Sequence, residues 1–209
     1  MTDQMGKKHA IVLSGGGAYG AFEVGVMKAL LNGRSPATNH QPLQADIFTG
    51  TSVGAYNAAI MASQSDAIAG VTYLEDIWRN RIADSTGQCG NGVFRFRGGV
   101  SDLLDPECLT QHPLDALSQL TRDGAYLARD FFRRGAHFFQ ASGKMEHRAL
   151  ELFNLSSFIS VEPLKKLIRD TLSLKDLIAS VKELRIVATS WETGQVRVFK
   201  KNHLADDIG

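Results

Sequence analysis

Residues 47–59 read Ile-Phe-Thr-Gly-Thr-Ser-Val-Gly-Ala-Tyr-Asn-Ala-Ala, and they decide how the rest of the chain is interpreted. An apolar run ends at Gly50, and a helical pattern of small residues begins at Gly54. This layout is typical of a nucleophile elbow, in which a strand turns sharply into a helix with a serine, here Ser52, at the apex. Glycines two positions either side of the serine are expected, because the strained turn brings those positions together.

A second glycine-rich turn lies near the start of the chain. Residues 9–14 read as a short buried strand, and Gly15, Gly16 and Gly17 follow it directly. An amphipathic helix is predicted over about 21–32. Glycines in this setting let backbone N–H groups converge on an anion at the start of the helix.

The apolar face of that first helix is the next expectation. We predict that Phe22, Val26, Ala29 and Leu30 lie on one face of this amphipathic helix.

Two functions compete for the glycine loop. Its sequence matches the dinucleotide fingerprint, which also requires an acidic residue about 20 positions on, at the end of the next strand. The nearest acid, Asp46, stands at the start of that strand, and the Ser52 turn occupies its end. A Walker loop is excluded because no Gly-Lys-Ser/Thr follows. An oxyanion hole serving Ser52 remains, beside the alternative of a turn without a ligand, although three glycines carry an entropic cost.

These motifs together resemble the patatin-like phospholipases. The similar segments are residues 15–22, 50–55 and 184–195. The resemblance implies an α/β fold with a central, mostly parallel sheet flanked by helices, and a serine hydrolase that cleaves acyl esters of lipids with no metal or cofactor. It implies Ser52 as nucleophile of a Ser–Asp dyad, with Gly15, Gly16 and Gly17 as the oxyanion hole and Gly50 and Gly54 as the elbow glycines. The family usually has Arg or Lys where this chain has Tyr19.

The catalytic aspartate of that dyad has no match at the expected place in the sequence. The family carries it in an Asp-Gly-Gly/Ala motif after the strand that resembles residues 184–190, and no such motif follows before Gly209. Asp123-Gly124-Ala125 matches the three letters, but it precedes that strand and falls in a helical pattern. We therefore expect one patatin-like domain over 1–209, incomplete at its C-terminus, with the base beyond Gly209 and Asp123 as the weaker candidate.

Composition and charge limit the other functions. The 209 residues are 44% hydrophobic and 22% charged, as in an ordinary globular protein, and the net charge of +1 favours no nucleic acid partner. The six histidines show no metal-ligand spacing. With no signal peptide or membrane span in the sequence, we predict a cytoplasmic protein with peripheral membrane contact and a lipid or phospholipid substrate. No pattern indicates an oligomeric state.

Three alternatives stay open. His203 would be the base if the protein were an α/β-hydrolase with a Ser–His–Asp triad, although in that fold the elbow follows more strands. A catalytically inactive lipid-binding module would keep the same motifs. The aromatic residues of 131–139 are either core residues or a membrane contact.

Overall fold

The computed structural model describes residues 8–83, 93, 95–96, 114, 118, 121–129 and 159–201. The chain forms two compact units, one made of residues 1–79 and 168–209 and the other of residues 80–167. The prediction of a single domain over 1–209 stays a prediction. Several sequence-based expectations lie outside the described residues, namely those for 131–139, for His203 and for the chain up to Gly209.

The described secondary structure is as follows. The strands are β1 (Ala10–Leu13), β2 (Ile47–Gly50), β3 (Arg95–Phe96), β4 (Ile159–Ser160), β5 (Glu183–Thr189) and β6 (Val196–Lys200). The helices are α1 (Gly20–Leu31), α2 (Val53–Ser63), α3 (Ala67–Asp76), α4 (121–129), α5 (Glu162–Thr171) and α6 (Leu174–Ala179). A π-helical turn (Ile77–Ala83) continues α3.

The first unit is built on a four-stranded sheet in the order β1-β2-β5-β6. The first three strands are parallel and β6 is antiparallel to β5. Phe48, in the middle of β2, is aligned with Ile11 on one side and Leu184 on the other, and all three side chains are buried. The α/β fold with a mostly parallel sheet and flanking helices, predicted from the sequence, is confirmed.

Asp46 links the amino-terminal ends of β1, β2 and β5 through hydrogen bonds. Its carboxylate Oδ2 accepts from the backbone N–H of His9 at 2.9 Å, and its carbonyl oxygen accepts from the N–H of Glu183 at 2.9 Å. Asp46 therefore lies at the opposite end of the sheet from the glycine loop, which argues against a dinucleotide site in which it would hold a ribose.

Helix α1 packs on α2 and α3 through a face that differs from the predicted one. Val24, Met27 and Leu31 are buried, while Phe22 and Val26 are exposed. The apolar face that the sequence indicated for α1 is therefore not the face that is buried. The helix carries apolar residues on both sides, so its hydrophobic periodicity alone could not select the buried side.

In the second unit, β3 pairs antiparallel with β4. The carbonyl oxygen of Val93 accepts from the N–H of Leu164 at 3.2 Å, near the start of α5. Across the described stretches of both units, no helix is long and apolar enough to cross a membrane.

Candidate active site

Ser52 stands at the apex of a sharp turn from β2 into α2. Its backbone has φ 52° and ψ −126°, a region that residues with a side chain seldom occupy. Such strain persists only where the surrounding structure enforces it, and it concentrates at functional sites. The side chain is exposed at the N-terminal end of α2, where the first N–H groups of a helix have no partner within the helix.

The two glycines around Ser52 are required by close backbone contact. A Cβ at Gly50 would lie 2.3 Å from the carbonyl carbon and oxygen of Gly54. A Cβ at Gly54 would lie 2.5 Å from the carbonyl oxygen of Ser14 and 2.6 Å from that of Leu13. The first turn of α2 therefore packs directly on the end of β1.

This packing brings the glycine loop beside the serine. A Cβ on Gly15 would be 3.3 Å from the Cβ of Ser52. The two motifs, at 15–17 and at Ser52, thus meet at the carboxyl edge of neighbouring parallel strands, which is where α/β sheets bind their ligands.

The glycine loop has a conformation that glycine alone adopts readily. Gly16 has φ 154° and Gly17 has φ 58°. The N–H of Tyr19 donates to the carbonyl oxygen of Gly16 at 3.2 Å and closes the turn into α1. Within the part of the chain that the structure describes, no protein acceptor is found for the N–H groups of Gly15 and Gly16, and both residues are exposed. These donors are free to bind an anion next to Ser52.

A polar network next to the loop, buried at Asn57 and exposed at Ser14, was missed by sequence reasoning. Asn57 is fully buried in α2; its Nδ2 donates to the carbonyl oxygen of Gly20 at 3.1 Å and to Glu23 Oε2 at 3.3 Å. The indole Nε1 of Trp78 donates to Asn57 Oδ1 at 3.0 Å. Glu23 Oε1 accepts from the N–H of Ser14 at 2.7 Å and from its hydroxyl at 3.2 Å. The available signal was one asparagine among the alanines of α2.

Two further positions that the sequence singles out, Asp123 and Tyr19, have the following local settings. Asp123 is in α4 of the second unit, and its side chain is only 3% exposed. The helix continues through Gly124, so the Asp-Gly pair does not break it. Tyr19 is 78% exposed at the edge of the glycine loop. Among the residues described in either unit, no group of three or more His, Cys, Asp or Glu side chains could hold a metal ion.

Comparison with known proteins adds three findings. A family model described as patatin-like phospholipase matches residues 11–207. A stretch of 63 residues, 30% of the chain, is 41% identical to lysophospholipase nte1 of Aspergillus terreus, but spans only 4% of that protein. The crystal structure of VipD from Legionella pneumophila aligns over 94% of this chain and 40% of its own, at 18% identity and a TM-score of 0.40.

Proposed function

The chain belongs to the patatin-like phospholipase family, and we propose that it is a serine-dependent lipid acyl hydrolase in which Ser52 is the nucleophile. The observation that carries the proposal is the exposed, strained Ser52 beside the free N–H groups of the glycine loop. The family supports lipid hydrolysis in general. The assignment of Ser52, of the elbow glycines Gly50 and Gly54, and of the loop is ours.

In the proposed mechanism the Ser52 hydroxyl attacks the ester carbonyl carbon while a base takes its proton. The negative charge on the carbonyl oxygen is stabilised by the N–H groups of Gly15, Gly16 and Gly17 and by the N-terminal end of α2. As the ester C–O bond breaks, the leaving alcohol receives the proton, and the acyl group stays on Ser52. Water activated by the same base then attacks the acyl-enzyme and releases the fatty acid.

The base is proposed to be a carboxylate other than Asp123. A catalytic aspartate of the predicted kind would follow a strand, whereas Asp123 lies inside α4. Its burial within a helix is also the usual setting of a structural carboxylate with a partner of its own.

Tyr19 implies that the oxyanion is stabilised by backbone donors. Its exposed side chain carries no positive charge, at a position where Arg or Lys is usual in the family. Preorganised N–H groups stabilise the transition state without a cation, by about 3–4 kcal/mol for one donor.

We further propose a cytoplasmic protein that binds membranes peripherally through one side of α1. Tyr19, Phe22 and Val26 are exposed and lie three and four positions apart, so they form one apolar stripe that begins at the glycine loop. A substrate drawn from a bilayer would enter next to this stripe. Exposed aromatic and aliphatic side chains on one helix face are typical of interfacial contact.

Co-sedimentation with phosphatidylcholine vesicles tests the membrane contact. Phe22→Ser is expected to lower the bound fraction several-fold, because a buried phenylalanine contributes roughly 1.5–3 kcal/mol. Val181→Ser is the matched control, since Val181 is fully exposed away from the stripe. Equal binding by both variants and the parent would contradict the contact.

The substrate class is proposed to be glycerophospholipid or lysophospholipid acyl esters. Protein expressed from its full coding sequence would be assayed on diacyl and monoacyl phosphatidylcholine and on short-chain p-nitrophenyl esters. The proposal expects fatty acid release from the lipids that Ser52→Ala abolishes. Turnover of the soluble esters alone would argue against a lipase.

A further inference from the structure

Three consecutive glycines cannot hold their own conformation. They lack side chains that would pack, and they lose more conformational entropy on ordering than other residues do. A loop that must present N–H groups to a developing oxyanion therefore needs to be fixed from outside, because a misplacement of about 1 Å costs on the order of a hundredfold in rate.

Each end of the loop is hydrogen-bonded to one of two side chains, and these two side chains also bond each other. At the start, Glu23 Oε1 accepts from the N–H of Ser14, the residue before Gly15. At the end, Asn57 Nδ2 donates to the carbonyl oxygen of Gly20. Glu23 and Asn57 also bond each other at 3.3 Å, and the two together are called the clamp below.

The clamp is itself anchored to the helix that begins at Ser52. Asn57 lies in α2, one turn after its start. The hydrogen bonds of Asn57 therefore hold the loop in place relative to the helix that presents Ser52. Its remaining acceptor, Oδ1, is occupied by the Trp78 indole, and the Trp78 ring also covers Gly20 so closely that a Cβ there would lie 2.6 Å from it. Both polar atoms of the Asn57 side-chain amide, Nδ2 and Oδ1, therefore have hydrogen-bond partners, as a fully buried amide requires.

We propose that Glu23 and Asn57 are positioning residues, which act through Ser14 and Gly20 to hold the oxyanion-binding loop against Ser52. This inference rests on the proposed function. It requires a carboxylate at position 23, because both oxygens accept, one from Ser14 and the other from Asn57. Glutamine has the same shape but one acceptor oxygen, so in Glu23→Gln one of the two bonds is replaced by two opposed donors.

Steady-state kinetics on a soluble p-nitrophenyl ester separates positioning from folding. Glu23→Gln is expected to lower kcat about tenfold or more while KM changes by less than about twofold, because the lost interaction acts on the transition state. Glu75→Gln is the matched control. Glu75 also bonds a residue of α1, Lys28. Its other partner is Arg79, so none of these bonds involves the loop. Active-site titration would correct each rate for the folded fraction.

Amide hydrogen exchange at Ser14 and Tyr19, whose N–H groups are bonded to Glu23 and to the carbonyl oxygen of Gly16, gives a readout that does not depend on turnover. Exchange is expected to accelerate in Glu23→Gln and to match the parent in Glu75→Gln. The proposed positioning role of the clamp is overturned if kcat and amide exchange of the loop in Glu23→Gln equal those of the parent. It is also overturned if both Gln variants lose activity in proportion to their loss of stability. A parent that hydrolyses no ester would instead overturn the proposed function, and the exchange comparison would still decide whether Glu23 holds the loop.

Discussion

Gly50 and Gly54 are in such close backbone contact that a Cβ on Gly50 would lie 2.3 Å from the carbonyl carbon of Gly54. This contact excludes a side chain at Gly50, whereas at Gly54 an added Cβ would lie 2.5 Å from the carbonyl oxygen of Ser14. The contact at Gly54 places the amino end of α2 against the end of β1, so the geometry of the site and the packing of the sheet depend on these two glycines.

Gly50→Ala and Gly54→Ala are therefore expected to destabilise the protein severely, by several kcal/mol, since a backbone atom has to move. Gly25→Ala is the control: Gly25 is exposed inside α1 and an added Cβ would meet nothing within 4 Å. It is expected to raise the free energy of unfolding by about 0.5–1 kcal/mol. Urea unfolding measures all three. Near-parental stability of Gly50→Ala would refute the close contact.

The sequence located most elements of the first unit, because their signals are local. The predicted strands around residues 9–14 and 184–190 and the helix after Ser52 match β1, β5 and α2 within about three residues at each end. The sequence also indicated that the glycine loop lies next to Ser52, because each motif follows the carboxyl end of one of two strands that are parallel.

What the sequence could not show depends on contacts between distant elements. The buried side of α1 is selected by α2 and α3, while Phe22 and Val26 are as apolar as the residues that are buried. The network of Ser14, Glu23, Asn57 and Trp78 joins four separate segments, and each residue alone looks unremarkable in its own segment.

The carboxylate of Glu75 is expected to make part of the free energy of unfolding sensitive to acid. Hydrogen bonds from Lys28 and then Arg79 hold the pKa of its carboxyl below the ordinary 4.5. A lowered folded-state pKa means that the stabilisation is fully present above pH 4.5 and is lost as the pH falls through the lowered value. Because the side chains of Lys28 and Arg79 are 41% and 73% exposed, solvent screens both ion pairs and we expect them to contribute at most about 1 kcal/mol.

Urea unfolding of the parent and Glu75→Gln at pH 7 and at stepwise lower pH checks this. The parent should be the more stable at pH 7, and the difference should shrink below pH 4.5. A difference that stays constant down to pH 2 would contradict the assignment.

Asp123→Asn tests the identity of the base. We expect hydrolysis per folded molecule to stay within about threefold of the parent, whereas loss of a catalytic base costs 10²–10⁴-fold. The side chain is buried and partnered, so the folded fraction must be measured alongside by circular dichroism. A folded Asp123→Asn protein without activity would make Asp123 the base and overturn our placement of it.

The most direct test of the account is covalent labelling with a fluorophosphonate, followed by mass spectrometry of the peptides. The probe bonds to an activated serine and needs the same oxyanion donors as the ester. Ser65→Ala, an exposed serine beyond the other end of α2, is the matched control for Ser52→Ala. We expect one adduct, on Ser52, which Ser65→Ala retains and folded Ser52→Ala loses. An adduct that persists in Ser52→Ala, or lipid hydrolysis that survives that substitution, would contradict it.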